Sequence, residues 1–220
     1  MSFTVDVRRR ALAANDAEAA QLRRRFADEH TLVTNLISSP GSGKTTLLEA
    51  TARRLAGRAT AAVIEGDVAT ELDAERLRAA GLPAYQVLTG GACHLDARQI
   101  GKALTLAAFP RVDLLFIENV GNLICPTTYD LGEDFKVALL SVTEGSDKPF
   151  KYPAIFARAE VTVVTKVDLL PHVRFDLPAV ETQVLSLNPS ATLLRTSSAT
   201  GEGIDAWCDL LLARAARKRT

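Results

Sequence analysis

Residues 38 to 46, Ser-Ser-Pro-Gly-Ser-Gly-Lys-Thr-Thr, combine glycines, a lysine and hydroxyls at the spacing of a phosphate-binding loop. Gly41 and Gly43 let the backbone curl so that several N–H groups face one anion, at the positive end of a following helix. Lys44 can reach β- and γ-phosphates, and the Thr45 hydroxyl can sit on Mg²⁺. Pro40, Ser42 and Thr46 complete the candidate cradle, and Ser38 replaces the usual first glycine, a backbone that serine tolerates. The competing reading is a glycine-rich strand-to-helix turn with no ligand. Against it stands the intact Gly-Ser-Gly-Lys-Thr-Thr run.

Thr165-Lys-Val-Asp168 follows a buried-strand pattern. A carboxylate at Asp168 can accept from N1–H and the 2-amino group of guanine, a donor pair adenine lacks, while the Lys166 stem covers the base. Thr165 stands where the common pattern has Asn, so an amide able to bond the base and tether the phosphate loop is expected to be missing. Ser198 and Ala199, in Thr196-Ser-Ser-Ala-Thr-Gly-Glu-Gly203, are candidates to offer backbone amides to the guanine oxygen. Asp67 and Glu118 end predicted strands, where parallel sheets bind ligands. Both are candidates to hold Mg²⁺ with Thr45 and to orient an attacking water. Asp73, on an expected mobile loop, is a third catalytic candidate beside them and Lys44.

A softer donor set remains. Cys93-His94 follows a glycine turn, and Cys125 lies seven residues past Glu118. Two thiolates and an imidazole suit Ni²⁺ or Zn²⁺; packed structural cysteines are the alternative. Adjacent side chains tend to diverge, so two copies of the chain across a two-fold axis are expected to share such a site. Cys208, beside Trp207, is assigned to packing.

These residues need a scaffold. Strands are predicted at 31–37, 60–64, 84–88, 112–117, 136–143, 161–165 and 191–196, and helices at 8–29, 47–55, 71–80, 95–108, 177–187 and 204–217. The alternation predicts an α/β P-loop NTPase: a mostly parallel sheet with helices on both faces, plus an N-terminal helix. Residues 1–30 read as a helical extension, with Leu12, Ala19, Leu22 and Phe26 as its apolar stripe, packed on the core or a partner. Residues 31–220 read as one nucleotide-binding domain.

Composition restricts the partners. Lys plus Arg and Asp plus Glu number 26 each, so no global charge argues for nucleic acid or a membrane surface. The Arg-rich runs at 8–10, 23–25 and 217–219 read as solvated helix faces. No apolar run approaches the roughly 18 residues of a membrane span, and no secretory signal is read. Three cysteines do not make a disulfide scaffold, which fits a reduced cytoplasm.

Several runs together decide a resemblance. Ser39-Pro-Gly-Ser-Gly-Lys-Thr-Thr-Leu47, Glu65-Gly-Asp67, Cys93-His-Leu-Asp-Ala97, Glu118-Asn-Val-Gly-Asn122, Cys125-Pro126 and Thr143-Glu-Gly145 resemble the hydrogenase nickel-incorporation GTPases, the HypB family, from about residue 8 to the end. The resemblance implies slow hydrolysis of GTP to GDP and nickel delivery to the large subunit of a nickel–iron hydrogenase, with a partner zinc/nickel maturation protein. It further implies that Cys93, His94 and Cys125 bind metal at a homodimer interface promoted by GTP. The urease nickel chaperone GTPase, with a Cys-Pro-His metal motif, is a related alternative. A metal-storage or scaffold protein with a structural nucleotide is the alternative outside enzymes.

Overall fold

The strand Leu32–Ile37 (β1) is buried along its whole length. Its side chains alternate: Leu32 and Leu36 enter one core, while Val33 and Ile37 enter cores on the opposite face. Burial on both faces is what a parallel sheet between helical layers requires. The computed structural model describes residues 3–67, 72–107 and 109–219, with side chains from Arg10 onward.

The other strands are Ala61–Asp67 (β2), Ala84–Leu88 (β3), Leu114–Glu118 (β4), Phe135–Ser141 (β5), Val161–Thr165 (β6) and Thr192–Thr196 (β7). They form a sheet in the order β3-β2-β4-β1-β5-β6-β7, and every pair is parallel. The helices are Phe3–Asp28 (α1), Lys44–Leu55 (α2), Leu72–Ala79 (α3), Ala97–Leu106 (α4), Lys148–Lys151 (α5), Pro153–Arg158 (α6), Leu177–Leu187 (α7) and Ile204–Lys218 (α8). α2, α3 and α8 cover one face; α1, α4, α6 and α7 cover the other.

All seven expected strands and six expected helices are present; β3, β6 and α7 have the expected bounds and the others have displaced ends. β4 begins at Leu114 because the Asp113 carboxylate takes the Thr60 N–H and hydroxyl at 2.8 and 2.9 Å instead. β5 stops at Ser141, which caps a 3-10 turn over Val142–Glu144. α4 begins at Ala97 because Asp96 and Gln99 form a reciprocal capping box. Glu71 and Ala108, the expected ends of two helices, lie outside the described residues. The short α5 and α6 were not expected; each opens with a proline in its first turn, which presets φ and needs no amide partner.

Helix α1 docks on this chain. Ala19, Leu22 and Phe26 join Val33, Leu115, Ile100 and Leu104 in one core cluster. The expected first member of the stripe, Leu12, is only half-buried, and the buried residue of the next turn is polar Asn15. On the other face, Trp207 is fully buried and donates from Nε1 to the Thr51 hydroxyl at 2.9 Å, locking α8 to α2. Trp207→Ala should cost about 3–5 kcal/mol of stability through the cavity it leaves. Urea unfolding of wild type and variant checks this; a loss under about 1 kcal/mol contradicts it. Cys208 packs beside it, its thiol pushed up to about 11 by burial.

Among the described residues of the basic runs, Arg23 pairs with Asp130, Lys218 with Asp134 and Arg219 with Asp113; the side chains of Arg8 and Arg9 lie outside them. Among the described residues, no helix is long and apolar enough to cross a membrane.

Candidate functional site

The register of the sheet aligns the chemistry. Glu118 lies beside Leu36 on one side and Glu65 on the other, so the phosphate loop after β1 and the acidic ends of β2 and β4 meet at one edge. β1 separates two strands that run off in opposite orders, the switch point where parallel sheets open a crevice. A cavity of about 400 Å³ opens there.

Its floor is the phosphate loop. Gly43 has φ 93°, a conformation L side chains rarely adopt, and directly caps α2. Lys44 and Thr45 are buried in the first turn of α2, at its positive end. Lys44 Nζ donates to Ser38 Oγ at 3.0 Å, and the Ser42 hydroxyl also donates to Ser38 Oγ. Ser38 therefore contributes an acceptor that the usual glycine lacks. Pro40, Gly41 and Thr46 line the cavity mouth, with Thr46 Oγ1 accepting from Arg76 at 3.2 Å.

The acidic wall carries an electrostatic load. The Thr45 hydroxyl donates to Glu118 Oε1 at 2.8 Å. Glu118 Oε2 and Glu65 Oε2 are buried without a hydrogen-bond partner among the described residues. Burial, which Lys44 and the Thr45 hydrogen bond only partly offset, raises the Glu118 carboxyl to about 7. Burial first, then the neighbouring charges of Glu118 and Asp67, raises Glu65 to about 8. Asp67 and Asp73 line the same cavity. Asp73 is not on a loop, as expected, but in the first turn of α3, where Arg76 donates to it at 2.9 Å and to Glu49 at 3.1 Å. The helix buries Ala74 and Leu77 against the core, and the Asp73–Arg76 pair at three-residue spacing supports its exposed face.

Past β6, Thr165 overturns an expectation. Its hydroxyl donates to the Ser42 carbonyl at 2.6 Å, so the phosphate loop is tethered despite the missing amide. Lys166, with φ 59°, lays its stem across the cavity and donates to the Gly41 carbonyl at 2.8 Å. Asp168 lies in the 3-10 turn Val167–His172. Ser198 and Ala199 lie at the tip of the loop after β7, which the Thr200 N–H to Ser197 Oγ bond closes at 3.1 Å. Asp168, Ser198 and Ala199 stand outside the cavity lining, on the loops leaving β6 and β7.

The soft donors converge. The ligand atoms of Cys93, His94 and Cys125 lie within 4.8 Å of one another, and Cys93 Sγ is 3.6 Å from His94 Nδ1. The expected divergence of the adjacent pair is therefore corrected: one chain brings all three together. The reason is aromatic packing. The Tyr129 ring sits 3.9 Å from the His94 ring, tilted by 35°, and turns the imidazole toward the thiols. Burial holds His94 below its ordinary value, favouring the neutral, metal-ligating form. Hydrogen bonding with Cys125 and then burial raise the Cys93 thiol. Asp96, in the same run, is occupied by its capping box.

Asn15 of α1 clamps both flanks of this cluster, donating to the Asp130 carbonyl at 2.8 Å and accepting from Ala97 N–H at 2.9 Å. Glu65, Arg76, Tyr129 and Asn15 are the residues that sequence reasoning missed. Glu65 had a signal, one residue from Gly66 and two from Asp67 at a strand end; the other three had none.

A parallel sheet, a glycine loop at the switch point and Lys-Thr opening the next helix define a P-loop nucleotide-binding protein. Residues 32–195 match the family described as CobW/HypB/UreG, nucleotide-binding domain. The chain belongs to this family and, within it, to the hydrogenase maturation factors HypB. The HypB of Azotobacter vinelandii is 51% identical over 89% of this chain, which spans 65% of that protein's length. The hydrogenase/urease maturation factor HypB of Helicobacter pylori is 39% identical over 96% of this chain and 88% of its own length. The crystal structure of Helicobacter pylori HypB in complex with nickel superposes with a TM-score of 0.88 at 39% identity, covering 93% of this chain and 96% of that one.

Proposed function

We propose that this chain is a slow GTPase metallochaperone of the reduced cytoplasm that passes nickel to the large subunit of a nickel–iron hydrogenase. One observation carries the reading: three soft donors within 4.8 Å of one another lie on the loops that leave the acidic edge of a phosphate cavity. A storage protein needs the donors and a plain hydrolase needs the cavity; a cargo switch needs both adjacent. Nickel is the cargo proposed, with zinc also compatible with two thiolates and an imidazole. The nickel complex of the Helicobacter pylori relative supports that choice.

The chemistry follows from the residues. Lys44 neutralises charge on the γ-phosphate, with the amides of residues 41–46 around the other oxygens. The donors fit Mg²⁺: hard oxygens from Thr45, Asp67 and Glu118, including the unpartnered Glu118 Oε2. When bound, Mg²⁺ would supply charge neutralisation between the β- and γ-phosphates. Asp67 or Glu118 orients the attacking water, with Asp73 as an alternative. Glu65, missed in the sequence, belongs with them as a buried carboxyl on the same wall.

Asp168 reads guanine, with Lys166 across the base and Ser198 and Ala199 amides near its oxygen. Asp168→Asn should therefore weaken GTP and shift preference toward xanthosine triphosphate, because an amide donor would meet the guanine donors. Competition binding of the two nucleotides checks this; unchanged GTP affinity means that guanine is read elsewhere.

With three donors per chain, a fourth from a second copy or an acceptor protein completes a metal sphere. GTP and metal are then proposed to promote a homodimer, which meets a partner zinc/nickel maturation protein. The function is tested by phosphate release from GTP and from ATP, with and without nickel, alongside nickel titration into GDP-loaded and GTP-analogue-loaded protein. A scaffold would bind without turnover. The dual name of the Helicobacter pylori relative supports a second acceptor, urease, which nickel transfer to each apoenzyme would distinguish.

A further inference from the structure

We propose that Leu95 and Asn119 form the mechanical link through which the phosphate cavity sets the position of His94. This rests on the reading of the two sites as one switch, and adds the residues that join them.

Leu95 directly follows the candidate ligand His94 and is fully buried. It is held at two points, one within β2 and one at the residue after β4, the two strands that end in the acidic wall. Its backbone N–H donates to Asn119 Oδ1 at 3.2 Å, and Asn119 is the next residue after Glu118. Its side chain lies against Gly66, between Glu65 and Asp67, so closely that a Cβ there would stand 2.7 Å from Leu95 Cγ. Glycine is therefore required at that point of β2. A shift at either strand end is transmitted to Leu95 without slack, because close-packed interiors move as units.

Asn119 is itself over-determined. Its Oδ1 also accepts from Val120 N–H at 3.0 Å, and its Nδ2 donates to Asn35 Oδ1 at 3.2 Å. Asn35 donates onward to Glu133 Oε1 at 3.2 Å, and Glu133 also binds Lys136. Lys136 Nζ then donates to the Tyr129 carbonyl at 2.7 Å, and the Tyr129 ring packs on His94. A polar chain thus leaves the end of β4 and returns to His94 by a second route, through Tyr129. Its members Asn35, Asn119 and Glu133 are all buried, so a broken link leaves a partner unsatisfied rather than solvated. Movement of Glu118 on nucleotide binding therefore reaches His94 by two routes, and movement of Glu65 by the Gly66–Leu95 contact.

The test is the ratio of nickel affinities with a non-hydrolysable GTP analogue and with GDP, measured in wild type, Asn119→Ala and Leu95→Ala. A coupled wild type should show a ratio of at least about fivefold. In a folded variant the ratio should fall to within about twofold of unity, whatever happens to either affinity alone. A purely structural lesion would weaken both affinities and leave their ratio intact; a wild-type ratio in both variants overturns the link. A ratio of unity in wild type itself instead overturns the switch on which the link rests. Should neither variant fold, amide hydrogen exchange of Leu95 in the unaltered protein decides. Exchange that differs between the GDP and GTP-analogue states supports the link, and identical exchange rejects it.

Discussion

Lys44→Ala is expected to lower GTP turnover on the order of 10²–10³-fold, the range for loss of one preorganised charge-stabilising group. The cavity has other cations, but they are differently placed. Arg76 is committed to Glu49 and Asp73, and Lys166 reaches across to the Gly41 carbonyl. Lys44 is buried at the start of α2, with a neutral hydroxyl as its hydrogen-bond partner. Its charge is therefore available to a γ-phosphate oxygen at little reorganisation cost. Its removal also acts on the acidic wall. Lys44 opposes the upward shift of Glu118 and that of Glu65, so both carboxyls would hold protons more firmly without it. Cation binding and water positioning would suffer together. Phosphate release at saturating Mg²⁺ measures the effect, and normal turnover would reject the phosphate-loop assignment.

Cys125→Ala is expected to weaken nickel binding by more than the roughly 10–100-fold typical of losing an outer-shell contact, since it removes a thiolate itself. It should also abolish the nucleotide dependence of assembly. Cys125 opens a 3-10 turn seven residues after Glu118. The loop between them touches the phosphate loop directly: a Cβ on Gly121 would stand 2.8 Å from Pro40 Cγ. On the proposed switch, a nucleotide that moves Pro40 or Glu118 would move the Cys125 arm, and the metal would bias the nucleotide state by the same factor. Nickel titration and sedimentation with GDP and with a GTP analogue, in wild type and variant, read the effect. Wild type should bind nickel more tightly and sediment heavier with the analogue; equal affinity and equal mass would separate the two functions.

Residues whose chemistry is local are legible in the sequence. A phosphate loop is contiguous: strand, glycines, Lys44, Thr45 and helix lie within one stretch of chain, so their types and order already define the backbone that turns toward an anion. The same holds for the mostly apolar run of β1, buried on both faces, and for the near-3.6 period of α8, buried on one, because each kind of burial writes itself into local sequence. Local pattern does not supply distance. Thr165 reads as a lost tether, yet parallel pairing with β5 and β7 places its hydroxyl 2.6 Å from the Ser42 carbonyl. Cys93 and His94 read as divergent, yet Tyr129, 35 residues further on, stacks on the imidazole and turns it inward. Glu65 becomes a wall residue only because β2 and β4 pair in the register that sets it against Glu118. Asn119 and Asn15 acquire roles because polar groups buried by tertiary packing must find partners wherever the fold brings them. Sequence by itself therefore determined the sheet class and the phosphate-loop and soft-donor candidates, since those depend on neighbours along the chain. Only the tertiary structure decided how the acidic wall forms and how the three soft donors converge, because strand register and buried polar pairing join residues that no local periodicity connects.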